Sequence, residues 1–142
     1  MREDDGDIWK YAGRAVIVMT TNGSLTRSWR AVPGCGVTKQ AVGRYPWLAE
    51  KLGMLIQMHG NHVFDLGNSL ASFPVEETAW SQPDLRIIAR SAKELRIVAD
   101  VAGWQQVIVP RPGCGGGGLS WNDVKPLLVP WFDGRFIVVT WK

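Results

Sequence analysis

The sixteen residues at positions 106–121, QVIVPRPGCGGGGLSW, constrain the fold of this chain more than any other stretch. Residues 106–109 are mostly apolar and β-branched, which predicts a strand buried on both faces of a parallel sheet. Ser120, followed by Asp123, predicts the start of a helix, because serine caps the first turn and an acidic side chain is favoured there. The glycines therefore lie between a strand and a helix amino terminus.

This run of glycines is suited to an anionic ligand. Backbone without side chains can come close to a ligand and can point several N–H groups at one anion, and a diphosphate is the natural candidate. The alternative is a flexible surface loop, but Pro110 and Pro112 favour a loop held in one conformation. The spacing matches no dinucleotide-binding motif, and the absence of a lysine after the glycines argues against a P-loop-like nucleotide hydrolase.

Length and composition narrow the class of protein. A chain of 142 residues with 46% hydrophobic residues predicts a single domain over 1–142. The net charge of +3 is below the basic density of a dedicated nucleic-acid binder. No apolar run is long enough to cross a membrane, and the acidic start MREDDGD is unlike a signal peptide, so we expect a cytoplasmic monomer without membrane association. His59 and His62 lack further ligands beside them, and we expect no metal and no cofactor.

Strand and helix patterns alternate along the chain. Hydrophobic periodicity and turn residues predict strands at 15–20, 106–109 and 135–141, an antiparallel pair at 62–66 and 69–73 joined by Gly67-Asn68 at a sheet edge, and helices at 38–44, 46–52, 84–100 and after Ser120. Gly53 is expected to end the helix at 46–52. This order predicts an α/β fold, in which the loops at 22–37 and 111–119 converge beyond the carboxyl ends of the strands.

With these loops in this order, the chain resembles the macro domain family, which binds ADP-ribose. The resemblance covers nearly the whole chain and rests on short motifs: Gly6-Asp7-Ile8, Thr21-Asn22-Gly23, Gly34-Cys35-Gly36-Val37, Gly60-Asn61, Ser72-Phe73-Pro74, and residues 110–115 with 117–121. The nearest branch contains terminal ADP-ribose protein glycohydrolase, the DNA ADP-ribosyl glycohydrolase antitoxins, and small phage and actinobacterial relatives. The resemblance implies a three-layer α/β/α fold with a mixed, mostly parallel sheet.

The resemblance also implies a set of ligand-binding residues. Asp7 would accept a hydrogen bond from the adenine amino group while Ile8 lines the base; the alternative for Asp7 is a solvated amino-terminal carboxylate. Asn22 would face the distal ribose or serve only as a turn former. Two sets of residues would enclose the phosphates and the distal ribose: Gly34, Cys35, Gly36 and Val37 from the first loop, and Gly113, Cys114, Gly115, Gly116, Gly117, Gly118 and Leu119 from the second. Either Trp9 or Trp141 is a candidate to stack on adenine.

Two departures from the glycohydrolase branch affect the expected catalysis. The lysine that acts at the ribose in that branch aligns with Val42, and the aspartate of the human-type second loop aligns with Gly117, where the antitoxin relatives also have glycine. Lys39, one turn before Val42, is a candidate for the missing role, with a solvent-facing lysine as the alternative. Asn22 would orient the attacking water. Cys35 and Cys114 are candidate thiolate nucleophiles, or small residues packed beneath the loops.

Two functions follow from this resemblance. One is a hydrolase acting on an ADP-ribosyl derivative, such as a mono-ADP-ribosylated macromolecule, O-acetyl-ADP-ribose or ADP-ribose 1''-phosphate. The other is a module that binds ADP-ribose, or a related nucleotide, without turnover. The expected partner is thus ADP-ribose itself or an ADP-ribosylated protein or nucleic acid.

Overall fold

A six-stranded sheet forms the centre of the protein. The computed structural model describes residues 1–34 and 36–141. Its strands are β1 (Arg2–Asp5), β2 (Val16–Thr21), β3 (Asp65–Gly67), β4 (Leu70–Pro74), β5 (Val107–Pro110) and β6 (Phe136–Thr140). They lie in the order β1-β6-β5-β2-β4-β3. Every neighbouring pair is parallel except β3 and β4, so the sheet is mixed and mostly parallel, as the sequence predicted.

Helices cover both faces of this sheet. They are α1 (Val37–Arg44), α2 (Leu48–His59), α3 (Leu85–Ala102) and α4 (Trp121–Leu128), with a 3-10 helix at Ile8–Tyr11. Side chains alternate along β2, so that Val16 and Val18 pack in one core with α3 and α4, whereas Ile17 and Met19 pack in the other with α1 and α2. Two apolar cores on opposite faces of one sheet give the expected three layers.

The predicted end of the second helix was wrong. Gly53 lies inside α2, which continues to His59 and ends at Gly60. The reason is a close approach: a Cβ at Gly53 would lie 2.1 Å from the carbonyl oxygen of Trp29. The Ala31 amide donates to Ala49 one turn earlier, at 2.8 Å. Gly53 therefore lets the loop after β2 rest against the middle of the helix, and the same residue type does not mark a helix end here.

Two further details of the sheet differ from the sequence predictions. The β3–β4 hairpin turns at Asn68 and Ser69, both with positive φ, one residue later than expected. Strand β1 was not predicted, because its sequence, REDD, is charged and lacks apolar alternation. It is an edge strand, where charged side chains are tolerated and discourage pairing with other chains.

The predicted cap of α4 is confirmed, and α3 has a similar cap that was not predicted. Ser120 accepts a hydrogen bond from the Asn122 amide at the start of α4. Asp84 accepts one from the Arg86 amide at the start of α3. Among the described helices, none combines the length and the apolar character needed to span a membrane.

Candidate functional site

A cleft of about 780 Å³ lies at the carboxyl ends of the parallel strands. Residues that follow β2, β4, β5 and β6 line it. These four strands are neighbours in the sheet, so the cleft extends across three inter-strand spacings, or about 14 Å. A volume of this size is typical of a site for one small-molecule ligand, and its length suits an extended one.

Most of the residues that the sequence singled out meet in this cleft. The lining includes Ile8, Asn22, Gly34, Gly36, Val37, Gly113, Cys114, Gly115, Gly116, Gly117 and Leu119. Asp7, Lys39 and Gly118 are exposed and are not among the lining residues. Cys35 lies outside the described residues. The two glycine-containing loops, far apart in sequence, are thus brought together in space.

The first loop leads directly into α1. The hydroxyl of Thr38 donates to the carbonyl oxygen of Thr20, which seats the first turn of the helix on the end of β2. Gly36 is the N-cap residue, and no side chain of the described residues caps the helix. The first N–H groups of α1, including that of the cleft-lining Val37, therefore remain available to an anion.

The second loop is folded onto itself. The Leu119 amide donates to the Gly113 carbonyl at 2.9 Å, and the Gly118 amide donates to the Gly115 carbonyl at 3.3 Å. A Cβ at Gly117 would lie 2.6 Å from both the Gly113 oxygen and Pro83 Cγ, so only glycine fits there. Within residues 1–34 and 36–141, the amides of Gly115, Gly116 and Gly117 donate no hydrogen bond. The loop therefore has an ordered backbone with free donors beside the cleft.

The second loop does not use a helix start as the first one does. Ser120 caps α4 by accepting a hydrogen bond from the Asn122 amide, whereas no side chain of the described residues caps α1.

Asn22 is held by its own loop. Its side-chain nitrogen donates to the Val32 carbonyl at 3.1 Å, and its side-chain oxygen accepts from the Ser24 amide at 2.9 Å. The residue is buried yet lines the cleft. These contacts agree with the turn-forming alternative, and a role toward a ligand stays a prediction.

The residues predicted to contact adenine, Asp7 and either Trp9 or Trp141, have different surroundings in the structure. Asp7 caps the 3-10 helix by accepting from the Trp9 amide at 2.9 Å. Trp9 is buried, donates from its ring nitrogen to Gln40, and has Arg44 over its ring at 4.3 Å. Trp141, by contrast, lines the cleft and is 63% exposed. Of the two tryptophans, only Trp141 is among the lining residues, and stacking on a base stays a prediction.

The cysteine of the second loop is not prepared for nucleophilic attack. Burial raises the pKa of the Cys114 thiol, although the nearby Arg111 acts in the opposite direction. The sulfur contacts the Pro112 carbonyl oxygen at 3.4 Å. A thiol with a raised pKa is mostly neutral at pH 7, which favours the packing role.

Sequence reasoning missed the charged residues of the cleft. Arg111 lines it, stacks on Trp121 at 4.7 Å, and has a buried Nε with no partner among the described residues. One guanidinium nitrogen of Arg111 lies 3.6 Å from Glu3. Lys125 also contacts Glu3, and this hydrogen bond is the main cause of the lowered Glu3 pKa. The signal for Arg111 was its position as the only charge within 106–121.

Glu76 is the other charged residue of the cleft that was not predicted, and it lies at the β4 end, just after that strand. It is partly buried, and this burial raises the pKa of its carboxyl group. No group of three or more metal-ligating side chains occurs among the residues described in the structure.

Comparison with solved structures identifies the fold. The DarG macrodomain of Thermus aquaticus superposes with a TM-score of 0.79 at 18% identity, over 99% of this chain and 97% of that one. The DarG macrodomain of Mycobacterium tuberculosis gives 0.78 at 24% identity, over 99% and 95%. DarTG of Thermosipho africanus, solved in complex with ADP-ribose, gives 0.78 at 15% identity; this chain is wholly covered and spans 42% of that one. No protein-family model and no curated protein matches the sequence. The chain thus has the macrodomain fold.

Proposed function

We propose that this protein binds ADP-ribose in the cleft and hydrolyses an ADP-ribosyl derivative there. The observation that carries the proposal is the convergence of two glycine loops, with unpaired amides from Gly115, Gly116 and Gly117 on one side and the uncapped start of α1 on the other. Opposed backbone donors suit a diphosphate better than any neutral ligand. The macrodomain fold, shared with a DarTG structure that contains ADP-ribose, supports the same ligand.

The order of strands beneath the cleft gives the ligand a direction. The two loops follow β2 and β5, the middle strands of the four, so the diphosphate belongs over the centre. Ile8 and Trp141 lie toward the β6 end and form the apolar and aromatic surface that an adenine requires. The distal ribose then extends from the β2 position, where Asn22 lines the cleft, toward β4, where Glu76 lines it.

A binding module without turnover is the second candidate. Lys39 is exposed and outside the lining of the cleft, and both polar groups of Asn22 are engaged within its own loop. These observations favour the binding module without turnover if no other group activates water.

Calorimetry and product analysis distinguish the two candidates. We expect ADP-ribose to bind more tightly than AMP or ADP, because only ADP-ribose fills the cleft from β6 to β4. Incubation with mono-ADP-ribosylated protein, ADP-ribosylated oligonucleotide and O-acetyl-ADP-ribose should release ADP-ribose from at least one of them. Binding of ADP-ribose without its release from any substrate would support the binding module without turnover. Absence of ADP-ribose binding would contradict the proposal as a whole. Lys39→Ala and Asn22→Ala, assayed in parallel, show whether either residue contributes to turnover.

A further inference from the structure

Among the acidic side chains that the structure describes, only that of Glu76 lines the cleft. Glu3, Asp100 and Asp133 are each engaged by arginine or lysine, and their pKa values are lowered. Glu94 contacts His62 and Arg90. The Glu76 carboxylate has no hydrogen bond or ion pair with any residue in the described part of the chain, and burial alone raises its pKa. Even partial desolvation of a carboxylate without a partner opposes folding, and carboxylates with shifted pKa values concentrate at functional sites.

The backbone around Glu76 is held firmly against β2. On one side of it the Val75 amide donates to the Thr21 carbonyl at 3.0 Å, and on the other the Gly23 amide donates to the Glu77 carbonyl at 2.9 Å. The Glu76 carbonyl itself accepts from the Asn61 side chain at 2.9 Å. The parallel pairing of β2 and β4 therefore fixes Glu76 beside Asn22 at one end of the cleft.

We propose that Glu76 is the general base for hydrolysis at the distal ribose, an inference that rests on the proposed function. The Glu76 carboxylate takes a proton from a water molecule whose oxygen forms a bond to C1'' of the ribose. The bond between C1'' and the acceptor atom breaks, and its electron pair leaves with the acceptor. The proton held by Glu76 then passes to the acceptor, directly or through water, so the products are ADP-ribose and the protonated acceptor. The negative charge also stabilises the positive charge that develops at C1''.

The surroundings of Glu76 determine the expected pH dependence. Among the residues that the structure describes, the other titratable ones that line the cleft are Arg111 and Cys114. Glu77, next in the chain, is exposed, and Arg90 from α3 contacts the Asn61 carbonyl and Glu94. Because burial raises the Glu76 pKa, kcat should fall as the pH is lowered through a value above that of an ordinary glutamate. This acid limb should disappear when the carboxylate is replaced.

The test compares Glu76→Gln with Glu77→Gln in the full chain, using mono-ADP-ribosylated protein and ADP-ribosylated oligonucleotide as substrates. We expect Glu76→Gln to lower kcat by about 100-fold or more, to remove the acid limb and to leave ADP-ribose affinity within about threefold. Glu77→Gln, the same change one residue away at an exposed position, should behave as the wild type. Full turnover by Glu76→Gln would overturn the inference, as would wild-type protein that binds ADP-ribose but releases it from neither substrate. Wild-type protein that fails to bind ADP-ribose would instead contradict the proposed function.

A second measurement is independent of turnover. ADP-ribose 1''-phosphate places a further negative charge at the distal ribose, so the Glu76 carboxylate should repel it. We expect Glu76→Gln to raise its affinity, relative to that for ADP-ribose, by about three- to tenfold. An unchanged ratio of the two affinities would show that Glu76 is distant from C1'' and would overturn the inference.

Discussion

The same four residues, Pro-Gly-Cys-Gly, occur in both loops of the cleft, at 33–36 and 112–115, yet the two loops offer an anion different groups. The first continues directly into α1 and presents a helix start without a side-chain cap. The second folds back through the bond from Leu119 to Gly113, while Ser120 caps the helix that follows. The short motif therefore indicates where the backbone can come close to a ligand. The residues that follow the motif decide which backbone N–H groups remain free to bind it.

The largest expected effect comes from a charge in the second loop. Gly116→Glu places a carboxylate at the cleft beside the free amides, so ADP-ribose affinity should fall by about 100-fold or more through repulsion of the diphosphate. Gly43→Glu is the matched control, because Gly43 is exposed on α1, has open space around it and does not line the cleft. Calorimetry should show normal binding for the control. Equal binding by both variants would mean that the second loop does not hold the phosphates.

A smaller effect is expected from substitutions that test how tightly each of the two loops is packed. Gly117→Ala forces a methyl group against the Gly113 oxygen and Pro83, so we expect a loss of about 1–3 kcal/mol in the free energy of unfolding and about tenfold weaker ADP-ribose binding. Gly34→Ala meets no atom within 4 Å and should change the free energy of unfolding by less than about 0.5 kcal/mol. Urea denaturation measures both. If the two variants are equally stable, the second loop is not the tightly packed one.

The smallest effect distinguishes the two helix starts. Thr38→Val removes the hydroxyl that seats α1 on β2 and should destabilise the protein by about 1 kcal/mol while weakening ADP-ribose binding about threefold. Ser120→Ala removes the cap of α4 and should lower the free energy of unfolding by a similar amount, about 1 kcal/mol, without changing affinity. A loss of binding in Ser120→Ala alone would reverse the roles given to the two helices.

Much of the fold was predictable because its signals are local. Buried strands such as β2 and β5 are runs of apolar residues, and Ser120 and Asp84 mark helix starts by their own side chains. Features that depend on contacts with residues distant in the sequence were not predictable. The role of Gly53 depends on the Trp29 carbonyl, and β1 was obscured by charges that suit an edge strand.

The residues of the candidate site also differ in whether their sequence signal is local or depends on distant partners. Residues of the two glycine loops were predictable, because lack of side chains is itself the signal. Glu76 was not, since it is more than fifty residues from Asn22 and only the parallel pairing of β2 with β4 brings them to one end of the cleft. Lys39 shows the converse: its spacing from Val42 suggested a shared face, but the structure leaves it exposed outside the cleft lining, so its catalytic role stays a prediction.

A structure of this protein with ADP-ribose bound tests the central claim most directly. We predict that the diphosphate oxygens lie within about 3.2 Å of amide nitrogens from both loops, at the start of α1 and among residues 115–117, with the distal ribose at the β4 end. A diphosphate that contacts only one loop, or ADP-ribose bound away from the cleft, would contradict the account.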